Sequence, residues 1–193
     1  MDEFKLTIEQ SVVIDIGSGP HPKPDATIRM DLHHWAGVTH VHNLIHYPYP
    51  FDDNYADKIY LNDVIEHLTK FDAPKVLAEI NRILKPGGVF EISCPDVLWI
   101  MERIVKRDWD EKANVDWLRQ NENPWDNAMD YLFGGWRHPE EHKIPGMGHI
   151  NGFCEVILHK HLSEAGFKDI KRIPDERNPE PARGAVLLMV ATK

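Results

Sequence analysis

The chain has 193 residues, 42% hydrophobic and 27% charged, which is too apolar for a disordered segment and too long for a disulfide-stapled mini-scaffold. Its two cysteines, Cys94 and Cys154, cannot build a disulfide framework; with an acidic start that carries no apolar leader run, and apolar stretches well short of the roughly 20 residues of a membrane-spanning helix, this points to a soluble, cytoplasmic protein. The net charge of −9, from 22 basic and 31 acidic residues, shows no basic face for phosphates and makes nucleic acid an unlikely partner.

Val12, Val13, Ile14 and Ile16, closed by Gly17, Ser18 and Gly19, read as a buried strand ending in a tight glycine turn. Pro20, Pro22 and Pro24 follow, and only residues 20–26 separate the turn from the next apolar segment at 27–32. The first crossover therefore has no room for an ordinary helix. Further strands are expected at 38–41 and 56–61. A helix follows, with Asp72 as N-cap, Pro74 in its first turn, and Val76, Leu77, Ile80, Ile83 and Leu84 on one face; Pro86, Gly87 and Gly88 stop it. The fifth strand is expected at 89–94.

Residues 97–152 break this rhythm. Val97, Leu98, Met101, Ile104 and Val105 form a helical stripe, and five of the six tryptophans (Trp99, Trp109, Trp117, Trp125 and Trp136) fall in this segment. It reads as a helical, lid-like insertion placed where an open α/β sheet has its ligand crevice; its tryptophans suit a small core or a substrate box. A helix at 153–165, stopped by Gly166, leads to strands at 168–173 and 185–191 that pair as a hairpin. The whole chain, 1–193, is expected to be one α/β domain with a Rossmann-like, doubly wound sheet. That sheet should have seven strands, mainly parallel and covered on both faces, with the last strand antiparallel.

A strand ending in glycines brings bare backbone close to a ligand, and an acid closing the next strand can take a ribose diol; Asp31 stands at that position. The dinucleotide pattern G-x-G-x-x-G fails because its third glycine falls on Pro22, where no phosphate-binding helix can begin. A nucleoside without phosphates suits the turn better.

With these features the chain resembles the class I S-adenosylmethionine-dependent methyltransferases of the type 11 kind. The resemblance rests on VIDIGSGP at 13–20, Asp31, YPF at 49–51, Asp57, NDVIEHL at 62–68 and LKPGG at 84–88. It implies S-adenosylmethionine as cofactor, with Gly17, Ser18 and Gly19 facing its methionine part and Asp15 behind them orienting the amino group. It also implies that Asp31 accepts from both ribose hydroxyls, with Leu32 and Leu44 alongside, and that the Asn62 carbonyl faces the ammonium. Asn43 stands where the family usually has an aspartate near the adenine amino group, and His21 where many members have a third glycine.

Methyl transfer needs in-line approach, exclusion of water and, for a hydroxyl acceptor, a general base. His67 is the first candidate base, with Glu66 and His149 behind it. The twelve histidines also raise a metal reading. In HPEEH, however, Pro139 stands where a zinc-protease motif needs glutamate between His138 and His142, and His159 and His161 point to different sides of a helix. No metal is expected. The leading expectation is methyl transfer to a small-molecule or glycan-like acceptor; the alternatives are a non-catalytic nucleoside-binding regulatory module and, on the histidines, a metal-dependent hydrolase.

Overall fold

The computed structural model describes residues 11–109, 124–134, 148–178 and 184–193. Its strands are Val13–Ile16 (β1), Ile28–Asp31 (β2), His40–Val41 (β3), Ala56–Asn62 (β4), Leu84–Pro95 (β5), Lys168–Arg172 (β6) and Val186–Thr192 (β7). Its helices are Ala73–Ile83 (α1), Val97–Lys106 (α2), Pro124–Phe133 (α3) and Glu155–Glu164 (α4), with a short 3₁₀ turn at Ile65–His67. The seven strands form one sheet in the order β3-β2-β1-β4-β5-β7-β6. β1 pairs in parallel with β2 and β4, β2 with β3, and β4 with β5. β7 pairs antiparallel with β5 and β6, so it alone runs against the rest of the sheet.

Strand alternation decides which face holds the core. Ile14, Ile16, Ile59, Leu61, Phe90, Ile92, Leu187 and Met189 point to one side, where Val76, Leu77, Ile80 and Ile83 of α1 and Leu158 and Leu162 of α4 bury against them. The opposite face behind β1 is polar. Lys23 and Lys58 pair with Glu91 at 3.4 and 3.6 Å, and Tyr60 donates to Asp25 at 2.9 Å. No helix lies between β1 and β2, so the loop carrying Lys23 and Asp25 covers this face instead.

Several boundaries differ from the sequence expectation. β3 has only two residues, because Val38 donates to the Trp35 carbonyl in a turn. β5 begins at Leu84 rather than 89: Leu84 pairs with Ala56, and the run through Pro86, Gly87 and Gly88 is taken up by a register shift in the β4 ladder. Asp72 occupies the N-cap position without capping by its side chain; the Thr69 hydroxyl accepts from Phe71 and Asp72 instead. α4 starts at Glu155, because Phe153 is drawn into a parallel bridge with Asp96 at the end of β5.

The insertion contributes α2 and α3, which share a separate core of Trp99, Ile100, Trp109, Ala128 and Ala185. Trp99 and Trp109 meet edge to face at 6.0 Å, whereas Trp125 is 40% exposed. Trp117, Trp136, His138, His142 and the first ten residues lie outside the described residues. Both cysteines are free. Among the described residues no helix is long and apolar enough to cross a membrane.

Candidate active site

The turn after β1 adopts positive φ at Gly17 (+71°) and Gly19 (+55°), a region that side chains other than glycine enter at a cost. Two further constraints fix it. The Met30 carbonyl of β2 accepts from Gly17 N at 2.7 Å and Ser18 N at 3.2 Å. A Cβ on Gly17 would also lie 2.2 Å from the Val64 side chain, whereas one on Gly19 would enter open space. Asp31 is buried and clamps the turn: one carboxylate oxygen accepts from Gly19 N and the other from His33 N, each at 2.8 Å. A carboxylate has about four lone-pair sites, so both oxygens keep capacity for a further donor.

Asp15, at the face opposite the core, accepts from Lys23 N at 2.7 Å and so fastens the proline-rich loop. Burial pushes its carboxyl above the usual range. Asn43 is half-buried after β3, and its side-chain oxygen accepts from Ile45 N at 3.2 Å. Leu44 packs against the core and Leu32 is exposed. Asn62 ends β4; its side-chain oxygen and the Ser18 hydroxyl are both buried without a hydrogen-bond partner. The sequence-derived candidates thus stand along the carboxyl ends of four neighbouring strands, in the sheet order β3, β2, β1, β4.

The candidate proton-transfer groups converge just beyond β4. Val64, packed against Gly17, leads directly into the 3₁₀ turn that carries Glu66 and His67. The chain returns after α3, and Ile150 N and Asn151 N both donate to the Glu66 carbonyl, at 2.9 and 3.1 Å. This brings the His149 ring to 4.9 Å from that of His67 and its Nε2 to 3.9 Å from Glu66 Oε1. His67 Nδ1 lies 3.1 Å from the Gly148 carbonyl, and His149 Nδ1 3.1 Å from the Tyr131 carbonyl. A carbonyl can only accept, so Nδ1 carries the proton in both rings and Nε2 presents a lone pair. Burial pushes Glu66 well above the usual carboxyl range, with Asp63 adding to the effect. Burial lowers His67, and burial together with His67 lowers His149 to about 4. Burial thus disfavours the charged form of all three groups.

Sequence reasoning missed a second network over the ends of β4 and β5. Arg177, in the link between β6 and β7, donates to Asp63 at 2.7 Å, to Ser93 at 3.1 Å and to Asp175 at 2.7 Å. Asp63 has φ +56°, which turns its carboxylate toward Ser93 and Arg177. Burial opposes the Arg177 charge, and the two carboxylates hold its pKa above the ordinary value. No periodicity marks this arginine; only its acidic neighbours hint at an ion pair.

Residues 11–92 match the family model of a methyltransferase domain. No curated protein matches the sequence. Among solved structures, the fold is similar to that of an S-adenosylmethionine-dependent methyltransferase from Thermotoga maritima. The TM-score is 0.58 at 16% identity, over 98% of this chain and 85% of that one. It is similar also to one from Archaeoglobus fulgidus, at TM-score 0.59 and 14% identity over 96% and 87% of the two chains. A third is 1,6-didemethyltoxoflavin-N1-methyltransferase from Burkholderia thailandensis, at TM-score 0.55 and 18% identity over 95% and 71%. The chain thus shares the fold of these methyltransferases, and residues 11–92 carry the family match. The residues of this turn fit the S-adenosylmethionine that the sequence resemblance implies. The positive-φ turn leaves open space at Gly19, Asp31 retains lone pairs beside it, and the buried oxygens of Ser18 and Asn62 await partners.

Proposed function

We propose that this protein is an S-adenosylmethionine-dependent methyltransferase, that it transfers the methyl group to a small-molecule or glycan-like acceptor, and that His67 takes the acceptor's proton. When bound, the cofactor supplies an electrophilic sulfonium methyl group. In this reading Gly17 and Gly19 let the backbone approach the methionine part, and Asp31 accepts from the ribose hydroxyls. Ser18 and Asn62 meet the polar groups of the amino-acid end, with Asp15 behind the turn. Asn43 takes the adenine amino group through its amide oxygen, and Leu32 and Leu44 flank the base.

One observation carries the proton-transfer assignment. The contact of Val64 with Gly17 sets the Glu66, His67 and His149 cluster beside the glycine turn. His67 is uncharged at neutral pH, and its Nδ1–H bond to Gly148 leaves Nε2 free to accept a proton. The neighbouring segment 148–153 and α3 help keep water from the site, which favours in-line attack. Two features support a small acceptor: the net charge of −9, and the solved Burkholderia thailandensis structure, which holds 1,6-didemethyltoxoflavin and S-adenosylhomocysteine.

Thermal denaturation with S-adenosylhomocysteine tests the cofactor assignment. A ligand at 100 times its dissociation constant stabilises by about 2.7 kcal/mol, and Asp31→Ala should lose most of that shift. Equal shifts in wild type and variant would remove Asp31 from the site. For His67, transfer of labelled methyl to a panel of hydroxylated small molecules should fall about 10²–10⁴-fold in His67→Ala, with the S-adenosylhomocysteine shift kept. The acid limb of the wild-type pH profile should lie below the usual imidazole value. Near-normal turnover in His67→Ala would show that another group takes the proton.

A further inference from the structure

We propose that Glu66, His67 and His149 form a binding site for a single divalent transition-metal ion of the zinc class. One ligand atom from each residue lies within 4.8 Å of the other two. Two imidazoles and one carboxylate, with positions left open, are a donor set that suits such an ion.

Two independent features separate this cluster from a chance meeting of polar groups. The first is the outer hydrogen bonding. A metal-bound histidine ordinarily donates its second ring N–H to a carbonyl or carboxylate, which fixes the tautomer and turns the lone pair to the ion. Both histidines here do so, His67 to Gly148 and His149 to Tyr131. The second is Glu66 itself. It is only 2% exposed, and its Oε2 has no hydrogen-bond partner. A buried carboxylate so placed must keep a proton or meet a cation. The Arg177 side chain does not meet this need, because it is already bonded to Asp63, Ser93 and Asp175.

Zinc–ligand bonds of about 2.0–2.2 Å place ligands roughly 3–3.5 Å apart. The 3.9 Å between His149 Nε2 and Glu66 Oε1 therefore closes by under an ångström through side-chain rotation. Binding displaces any proton on Glu66 to solvent and leaves both histidines neutral. The ion would join the end of β4 to the segment after α3, adding to the backbone bonds from Ile150 and Asn151 to Glu66. The spacing of His138 and His142 argued against a metal along the sequence. This site uses neither residue.

The site does not depend on His67 being the base. An imidazole that holds an ion cannot take the acceptor's proton, so His67 serves as base in the metal-free protein and as ligand in the metal-bound form, and binding is measured apart from turnover. Protein stripped with a chelator should be titrated with zinc chloride by calorimetry, and with cobalt(II) by visible absorption. One equivalent should bind and raise the Tm. Glu66→Gln keeps the shape and the burial, so it should fold and keep its S-adenosylhomocysteine shift while losing at least about tenfold in zinc affinity; His149→Ala should do the same. Absence of a stoichiometric site in protein that responds to S-adenosylhomocysteine overturns the proposal, as does wild-type zinc affinity in both variants. Zinc binding that both variants weaken, in protein with no S-adenosylhomocysteine response, upholds the metal site and overturns the cofactor assignment instead.

Discussion

Gly17 and Gly19 look alike in the sequence and differ in what surrounds them. Both have positive φ, which costs a residue with a side chain about 1–2 kcal/mol. At Gly17 the Val64 side chain adds a clash at 2.2 Å, and overpacking of this kind costs about 1–3 kcal/mol more. Gly17→Ala should therefore lower the Tm well below that of Gly19→Ala. Gly19→Ala should instead lose the S-adenosylhomocysteine shift, because its methyl group enters the space before the turn. Melting curves of both variants with and without the ligand check this, and a full ligand shift in Gly19→Ala would contradict it. Asp15 shows the opposite balance between stability and function. Burial raises its folded pKa above the ordinary 3.8, so its contribution is intact below the unfolded value and is lost as pH rises through the folded one. At neutral pH the charge destabilises the fold. Asp15→Asn, whose amide oxygen can still accept from Lys23 N, should have the higher Tm at neutral pH, with the difference vanishing in acid. A neutral-pH Tm below wild type would show that the hydrogen bond outweighs desolvation.

Among the elements, α2 and α3 depend on a core of their own. Trp109 is 2% exposed and packs with Trp99, Ile100 and Ala128, apart from the cluster under α1 and α4. Trp109→Ala should cost about 3–5 kcal/mol locally. Amide exchange should lose protection in α3 while β1, β4 and β5 keep theirs; uniform loss across the sheet would mean that the two cores unfold as one. The apolar face of α1 was legible because Val76, Leu77, Ile80 and Ile83 repeat at helical spacing. The early start of β5 was not. Pro86, Gly87 and Gly88 are local stop signals, and only pairing of Leu84 with Ala56 across the sheet overrides them.

Across the whole molecule, the two thiols report on different events. Cys94 is fully buried on β5 opposite Leu187, and burial pushes its thiol well above the ordinary range; Cys154 is partly exposed before α4. A thiol reagent should label Cys154 in the native protein and Cys94 only at the rate of global unfolding. Fast labelling of both would mean that the β5–β7 pair opens by itself. The sequence alone determined the number and approximate places of the strands, the glycine turn with its acid on the next strand, and the first crossover without a helix. These follow from side-chain periodicity and from the backbone limits of glycine and proline, which act within a few residues. Only the tertiary structure decided that His149 meets Glu66 and His67, and that Arg177 reaches Asp63. The His67–Gly148 bond beside His149 spans 81 residues and the Arg177–Asp63 bond 114, and strand order and register, rather than local chain preferences, bring such distant groups together.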